Sequence, residues 1–228
     1  MGCKMGTITI LPETTKDPIS LMGRRAGICW GADITDPEKN YNRGIDCVKS
    51  NHGRLLEFVN IEATISGYSA RVIREWYTHI GGSPTRLQES TRYVDYANFR
   101  YITPKSIQTE WQKKKWHGVM RIIGRAKQKL EESGVPREDT ALILPIGMET
   151  VIVDKRNVRN VMDMSRQRMC NRANWEYREM FSEYLAQLSN YSEEWKTLIP
   201  MIMMSKCEYL GYCPEKKGCG RKSKNEKI

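Results

Sequence analysis

The chain has 228 residues, of which 39% are hydrophobic and 28% charged, an ordinary composition for a soluble globular protein. No apolar run is long enough to cross a bilayer, which excludes a membrane-spanning chain, and the start Met1-Gly2-Cys3-Lys4 lacks a signal segment, so we expect a cytoplasmic protein. The net charge of +10 favours anionic partners, such as nucleic acid, a membrane surface or phosphorylated small molecules.

The first half of the chain contains short predicted elements. Apolar alternation and turn residues predict strands over residues 7–11 and 55–65, and helical spacing predicts a helix over 69–77. Residues 18–51 are rich in Gly, Asp and Asn, so we expect mixed turns and short helix there. Residues 81–84, Gly-Gly-Ser-Pro, predict a loop after the helix.

The second half is dominated by long helical patterns. Pro104 suits the first turn of a long helix, which should end near residues 134–136. Residues 142–153 predict a strand, and residues 157–188 and 193–204 predict two further helices. We therefore predict one α/β domain over residues 1–206, followed by a basic cysteine-bearing tail over 207–228. The apolar stripe of the first long helix consists of Ile107, Trp111, Val119, Ile122, Ile123, Ala126 and Leu130.

Two polar clusters precede this helix. In the first, His52, Arg54 and Glu57 could line a pocket at the start of a strand or pair on the surface. In the second, His79 leads into a glycine loop that ends in Gln88-Glu89-Ser90-Thr91-Arg92. Backbone N–H groups, hydroxyls and a guanidinium suit a phosphate, although a polar turn with a surface ion pair has the same composition.

A third cluster lies on the predicted helix that begins at Asn157. Arg159, Asp163 and Arg166 fall on successive turns of one helix face, so their side chains can meet. Arginines are rarely buried without a partner, which points to an anionic ligand, while an exposed ion-pair face is the alternative. The other arginines of this segment are Arg168, Arg172 and Arg178.

In this order, the clusters resemble the flavin-dependent thymidylate synthases over roughly residues 50 to 205. The most specific part is the segment 157–178, with Asn-x-Arg followed by Arg-x-Cys-x-Arg-Ala-x-Trp-Glu. The resemblance implies an α+β fold with a mainly antiparallel sheet and long helices. It also implies that FAD, NADPH and methylenetetrahydrofolate are used to convert dUMP to dTMP, without a covalent protein nucleophile. Family members are homotetramers with shared active sites, and no membrane, nucleic-acid or metal partner is expected.

The resemblance assigns roles to individual residues. Arg168 corresponds to the catalytic arginine that stabilises the uracil ring as its anion. The residues that correspond to substrate contacts are Glu75, Gln88, Glu89, Ser90, Arg92 and Arg168. The residues that correspond to flavin contacts or support the flavin pocket are Arg54, Glu57, His79, Asn157, Arg159 and Asp163.

The chain also departs from the family pattern. The signature Arg-His-Arg reads Thr78-His79-Ile80 here, the usual glutamine is Glu75, and a further family arginine is replaced by Ala141. Arg74 and Arg86 are near enough in sequence to compensate. These departures motivate a second hypothesis, an enzyme of the same scaffold that modifies another pyrimidine nucleotide.

A third hypothesis is a non-enzymatic, basic nucleic-acid-binding protein with zinc in its tail. Cys207, Cys213 and Cys219 would need a fourth ligand for such a site. The alternative is a reduced tail that packs on the domain through Tyr209 and its neighbours. With no secretory signal, we expect the seven cysteines to be free thiols rather than a disulfide frame.

Overall fold

The computed structural model describes residues 6–224, which contain one four-stranded antiparallel sheet and long helices. Strand order across the sheet is β1-β2-β4-β3. The strands are β1 Thr7–Ile10, β2 Asn60–Ser69, β3 Thr85–Gln88 and β4 Glu149–Asn157. The helices are α1 Pro18–Cys29, α2 Pro37–Lys49, α3 Ala70–Trp76, α4 Glu110–Glu132, α5 Arg137–Thr140, α6 Val158–Arg168, α7 Trp175–Ser189, α8 Glu193–Ile202 and α9 Lys206–Leu210. This confirms the predicted fold class.

The chain divides into two compact units. Within the described residues, unit 1 comprises 6–7, 65–78 and 87–153, and unit 2 comprises 8–64, 79–86 and 154–224. The predicted division at residue 206 stays a prediction. Residues 1–5, which carry the N-terminal argument for a cytoplasmic protein, and residues 225–228 lie outside the described part of the chain.

The segment predicted as mixed turns and short helix forms two helices of 12 and 13 residues, α1 and α2, so helix was correctly expected but its extent was underestimated. Each helix begins with a proline, a residue whose fixed φ suits the first helical turn. Asp36 caps α2 by accepting from the backbone N–H groups of Glu38 and Lys39. The start of α1 is completed by Glu194 of α8, which accepts from the N–H of Ile19 at 2.6 Å.

Glycines allow α1 and α2 to pack at very short range. A Cβ on Gly23 would lie 1.8 Å from the carbonyl oxygen of Asn40, and one on Gly44 would lie 2.1 Å from that of Ile19. No side chain fits at either position without a shift of the backbone. These glycines are therefore packing residues inside helices rather than turn residues.

Helix α4 packs in the core of unit 1, but only part of its apolar stripe is buried. A buried cluster of Tyr96, Phe99, Met120 and Met148 forms its core. The helix starts at Glu110 and not at Pro104, because Thr109 and Gln112 form a capping box there. Much of the predicted stripe is exposed, including Trp111, Val119, Ile122 and Leu130, which are 40% to 68% accessible.

Three further predictions need correction. The strand predicted over 55–65 starts only at Asn60, because Gly53–Phe58 forms a 3-10 helix. The strand predicted over 142–153 is shifted to Glu149–Asn157, because Ala141–Ile143 forms a second 3-10 helix. Strand β3 was not predicted. The single helix predicted over 157–188 is interrupted after Arg168, because Asn174 caps a new helix by accepting from the N–H groups of Glu176 and Tyr177. Strand β1 and helices α3 and α8 are confirmed.

Candidate functional site

The N-terminus of α6 anchors the polar residues of unit 2. Asn157, the last residue of β4, is 8% exposed and caps α6 by accepting from the backbone N–H of Asn160 at 2.9 Å. The glycine loop lies directly against this cap, since a Cβ on Gly82 would be 2.2 Å from Nδ2 of Asn157. Only a glycine therefore lets the loop approach so closely.

One face of α6 carries the predicted ion pairs. Asp163 lies 3.4 Å from Nε of Arg159 and 3.6 Å from a terminal nitrogen of Arg166, so the prediction that the three side chains meet is confirmed. Arg159 and Asp163 are about half exposed, so this ladder is partly solvated. Gly53 packs against Arg159, where a Cβ would lie 2.1 Å from its guanidinium.

At the other end of α6, Arg168 and His79 are in direct contact. The Nε–H of Arg168 donates to Nε2 of His79 at 3.0 Å. The same guanidinium lies over the ring of Tyr177, 4.4 Å from its centroid, and the His79 ring meets Tyr177 edge-on. A hydrogen bond and a cation–π contact together fix the orientation of Arg168.

This contact also fixes the protonation of His79. An arginine Nε–H can only donate, so Nε2 of His79 accepts and the imidazole proton of the neutral form resides on Nδ1. Burial, followed by the charges of Arg168 and Arg156, lowers the pKa of His79 to about 4. The imidazole is therefore neutral at physiological pH.

A buried ion pair on β4 was missed by the sequence analysis. Asp154 and Arg156 lie on the same side of the strand, both about 1% exposed, and Arg156 donates to the two carboxylate oxygens of Asp154 at 2.5 and 2.7 Å. Arg156 also donates to Oδ1 of Asn160 at 2.5 Å. The available signal was opposite charges at i and i+2 within a strand, a spacing that places them on one face.

The first polar cluster has a different environment. Arg54 and Glu57 are exposed on the 3-10 helix Gly53–Phe58. Arg54 lines a cavity of about 320 Å³, together with His52, Cys29 and Trp30. The structure therefore brings His52 and Arg54 together beside the end of α1.

The predicted substrate contacts Glu75, Gln88, Glu89, Ser90 and Arg92 all belong to unit 1. Gln88 donates to the hydroxyl of Thr150 at 3.2 Å, and the Ser90 hydroxyl accepts from the backbone N–H of Arg92 at 3.2 Å. Glu75 lies within 4.0 Å of Arg71 on α3.

Arg92 is the cation of this group, and its side chain is 63% exposed. It pairs with Glu138 at 2.7 Å. An exposed pair of this kind is weak, so a doubly charged phosphate can displace the carboxylate.

The two arginines that could compensate for the altered signature lie in different units. Arg74 is exposed in the last turn of α3, in unit 1, and Arg86 lies in β3, in the part that belongs to unit 2. Their compensating role stays a prediction.

The described part of the C-terminal tail runs to residue 224. Its helix α9 places Tyr209 under the guanidinium of Arg166, 4.1 Å from the ring centroid. The six cysteines within residues 6–224 are free thiols, and Cys3 lies outside this range. In the same range no group of three or more His, Cys, Asp or Glu side chains is placed to hold a metal ion. Nor does any helix between residues 6 and 224 have the length and apolarity needed to cross a membrane.

Comparison with known proteins gives a consistent result. A sequence model of the family described as thymidylate synthase complementing protein matches residues 11–192. The flavin-dependent thymidylate synthase of Clostridium tetani is 26% identical and aligns with 100% of this chain and 98% of its own length. Those of Nitratidesulfovibrio vulgaris and Pyrococcus horikoshii are 30% and 29% identical, each over 76% of this chain and 73% and 74% of their own lengths.

Proposed function

Because this chain belongs to the thymidylate synthase complementing protein family, we propose that it methylates dUMP to dTMP with FAD, NADPH and methylenetetrahydrofolate. Membership of the family makes the chain a flavin-dependent thymidylate synthase. The identity of the flavin as FAD, of NADPH as the electron donor and of the folate as the one-carbon donor is our proposal.

The observation that carries the proposal is the hydrogen bond between Arg168 and His79, both of which contact the ring of Tyr177. Flavin enzymes tune their cofactor through positive charge and hydrogen bonds near the ring nitrogens and oxygens. A fixed guanidinium beside a neutral imidazole supplies such groups. When bound, the flavin supplies the redox chemistry that methyl-group formation requires.

The backbone at the N-terminal end of α6 also suits a large planar ligand. Gly81 and Gly82 pack on the amides of Asn160 and Asn157, and Gly53 packs on Arg159, where a Cβ would meet those side chains. The residues thus form a cradle with bare backbone and amide groups, which fits a flavin. We assign Asn157, Arg159 and Asp163 to flavin binding, and Arg54 and Glu57 to support of the same pocket.

Arg168 is proposed to act on the nucleotide. A cation that is already oriented can stabilise negative charge that develops on the uracil ring without first reorganising. Because His79 stays neutral, it orients the guanidinium without neutralising it.

The polar group of unit 1 is proposed to bind the nucleotide. Ser90 and Arg92 offer a hydroxyl and an exposed guanidinium, which are ligands for a phosphate. Gln88, Glu89 and Glu75 supply amide and carboxylate groups that can select among bases and sugars by hydrogen bonding.

A second candidate function is the modification of a different pyrimidine nucleotide. It is favoured by the residues around His79, because the Thr78 hydroxyl donates to the carbonyl of Glu75 at 2.7 Å and Ile80 is 70% exposed. Neither residue provides the cation found at its position in the family signature.

A product assay tests these proposals. Purified full-length protein is incubated with FAD, NADPH, methylenetetrahydrofolate and dUMP, UMP or dCMP in separate reactions, and the nucleotides are analysed by mass spectrometry. We expect dTMP from dUMP, dependent on each added component. Absence of dTMP in the complete mixture would refute the proposed function, and methylation of UMP or dCMP alone would establish the second candidate.

Self-association is part of the proposal, as a homotetramer with shared active sites. Its support is the exposed apolar stripe of α4, which includes Trp111, Val119, Ile122 and Leu130. A stripe of this size on one helix face is a common feature of oligomer interfaces.

A further inference from the structure

A cavity of about 530 Å³ lies within unit 2 at the C-terminal end of α6. Three thiols of the C-terminal part of the chain, Cys207, Cys213 and Cys219, reach it, and Glu215 is its only carboxylate among residues 6–224. The side chains that give it its character are cationic: Arg166, Arg168, Arg172, Lys206, Arg221 and Lys222.

One wall of the cavity is formed by a C-terminal loop, residues 211–224. Arg221 fastens this loop to the end of α6 by donating to the carbonyl of Met169 at 3.0 Å and to Oδ1 of Asn171 at 2.7 Å. Glu215 pairs with Arg172 at 2.7 Å, and the N–H of Cys213 donates to the carbonyl of Ser223 at 2.8 Å. The loop is therefore held in place by its own contacts, with the cavity beneath it.

Some of these cations have an ordinary structural explanation. Positive side chains at a helix C-terminus interact with its unpaired carbonyl groups, which accounts for Arg221. The Arg172–Glu215 pair accounts for a second charge. Within residues 6–224, neither Lys206 nor Lys222 donates a hydrogen bond that would explain its position in the same way, although Lys222 is near enough to Glu208 to help lower the pKa of that carboxyl, after its hydrogen bonds from Ser205 and the charge of Arg221.

Arg166 gives an independent sign of a missing partner. Its Nε is buried and has no hydrogen-bond partner within residues 6–224, although the same guanidinium contacts Asp163 and the ring of Tyr209. A buried N–H without an acceptor is costly. The thiol of Cys219 also has a lowered pKa, chiefly because it accepts from the backbone N–H of Arg221 and further because of the Asn171 amide and the Arg221 charge.

We propose that this cavity binds a ligand with two or more oxyanion groups, phosphates or carboxylates, and that Lys206 and Lys222 are the cations that select it. Its volume exceeds that of a single phosphate group, and its cations come from α6, the segment between α6 and α7, α9 and the C-terminal loop. Arg168 also lines this cavity, so a ligand bound there would have an anionic group close to the candidate active site. Only this link between the cavity and the active site rests on the proposed function.

Cys219 provides a direct probe of occupancy. The full-length protein is treated with iodoacetamide, a neutral reagent, and alkylation of each cysteine is followed by peptide mass spectrometry. Cys29 is also exposed, but lies at the end of α1 outside the cavity, so it serves as an internal control. The two ligands are inorganic pyrophosphate and tri-γ-glutamate, each compared with chloride at equal ionic strength.

We expect alkylation of Cys219 to slow about tenfold at a ligand concentration ten times its Kd, with Cys29 unchanged. Protection by pyrophosphate alone would identify phosphate as the preferred group, and protection by tri-γ-glutamate alone would identify carboxylate. Protection by both would indicate a general oxyanion site.

A charge-matched pair of variants completes the test. The double variant Lys206→Gln/Lys222→Gln should lose the protection, whereas Lys39→Gln/Lys196→Gln, which removes two exposed lysines elsewhere, should retain it. No protection by either ligand in the wild-type protein, or equal protection in both double variants, would overturn the proposal. Since neither flavin nor turnover is involved, this outcome leaves the product assay unaffected.

Discussion

His79 shows how a side chain can orient a cation without adding a charge of its own. It accepts from Arg168 through Nε2 and stays unprotonated because burial and two nearby guanidinium groups oppose a further charge. A carboxylate in the same place would orient Arg168 equally well but would cancel its field. The neutral imidazole therefore separates the positioning of Arg168 from its charge.

The protonation of His79 should be visible in the pH dependence of stability. Its folded pKa of about 4 lies below the unfolded value of 6.5, so the unfolded state binds the proton first as the pH falls. The free energy of unfolding should therefore decrease between pH 6.5 and pH 4. We expect the free energy of unfolding of His79→Gln, measured by denaturant titration at several pH values, to depend less steeply on pH. The difference in slope should correspond to the uptake of roughly one proton on unfolding.

The prediction is contradicted by a His79→Gln variant whose free energy of unfolding keeps the wild-type dependence on pH between pH 6.5 and pH 4. His79 would then not be held neutral in the folded state.

Arg168 should matter for turnover more than for binding. In Arg168→Ala we expect kcat to fall by on the order of a hundredfold, since one preorganised charge is lost from the transition state. Flavin absorbance and the circular dichroism spectrum should be retained. Arg24→Ala, which removes an exposed arginine of α1, should leave kcat unchanged. A normal kcat in Arg168→Ala would remove this residue from the mechanism.

The helices α1 and α2 illustrate how glycine can stabilise packing that its helix propensity opposes. Gly23 and Gly44 have an intrinsic cost in a helix, yet each allows a backbone contact that no larger residue permits. From sequence, a segment rich in Gly, Asp and Asn indicates turns. Whether such a segment forms turns or packed helices depends on which surface each glycine faces, and that is decided only by the tertiary structure.

Gly23→Ala should consequently destabilise the protein although alanine favours helices. The new methyl group would overlap the carbonyl of Asn40, so we expect a loss of about 1 to 3 kcal/mol in the free energy of unfolding. Asn42→Ala, on the exposed side of α2, should instead be neutral or stabilising by a few tenths. Equal stability of the two variants, measured by thermal denaturation, would contradict the close packing of α1 on α2.

The candidate site was predictable in part. Ion pairs such as Arg159–Asp163 follow from helical spacing, and they were found. The contact of Arg168 with His79 joins residues 89 positions apart, so no local pattern could indicate it. The helix break after Arg168 was also missed, because Asn174 acts as a cap only when the preceding chain turns away.

Among residues 6–224, helix α4 presents an apolar face that is exposed. Within the predicted stripe, Val119 and Ile122 face outward, whereas Met120 and Lys127, which lie outside that stripe, face the interior. Periodicity identifies an apolar face and does not tell whether it contacts the same chain or another copy.

Replacing this face should change the oligomeric state. We expect Val119→Glu/Ile122→Glu to reduce the mass measured by size-exclusion chromatography with light scattering, because buried carboxylates oppose association. Lys114→Glu, an exposed polar position on the same helix, should leave the mass unchanged. A wild-type protein that is monomeric at micromolar concentration would exclude the proposed homotetramer.

The buried pair of Asp154 and Arg156 constrains how this protein can change. Loss of either partner breaks this buried ion pair, at a cost of about 3 to 5 kcal/mol, whereas apolar replacement of both can be nearly neutral. We therefore expect each single step to be harmful and the double step to be tolerated. This is sign epistasis: a mutational path between the charged and the apolar arrangement would pass through a less stable intermediate sequence.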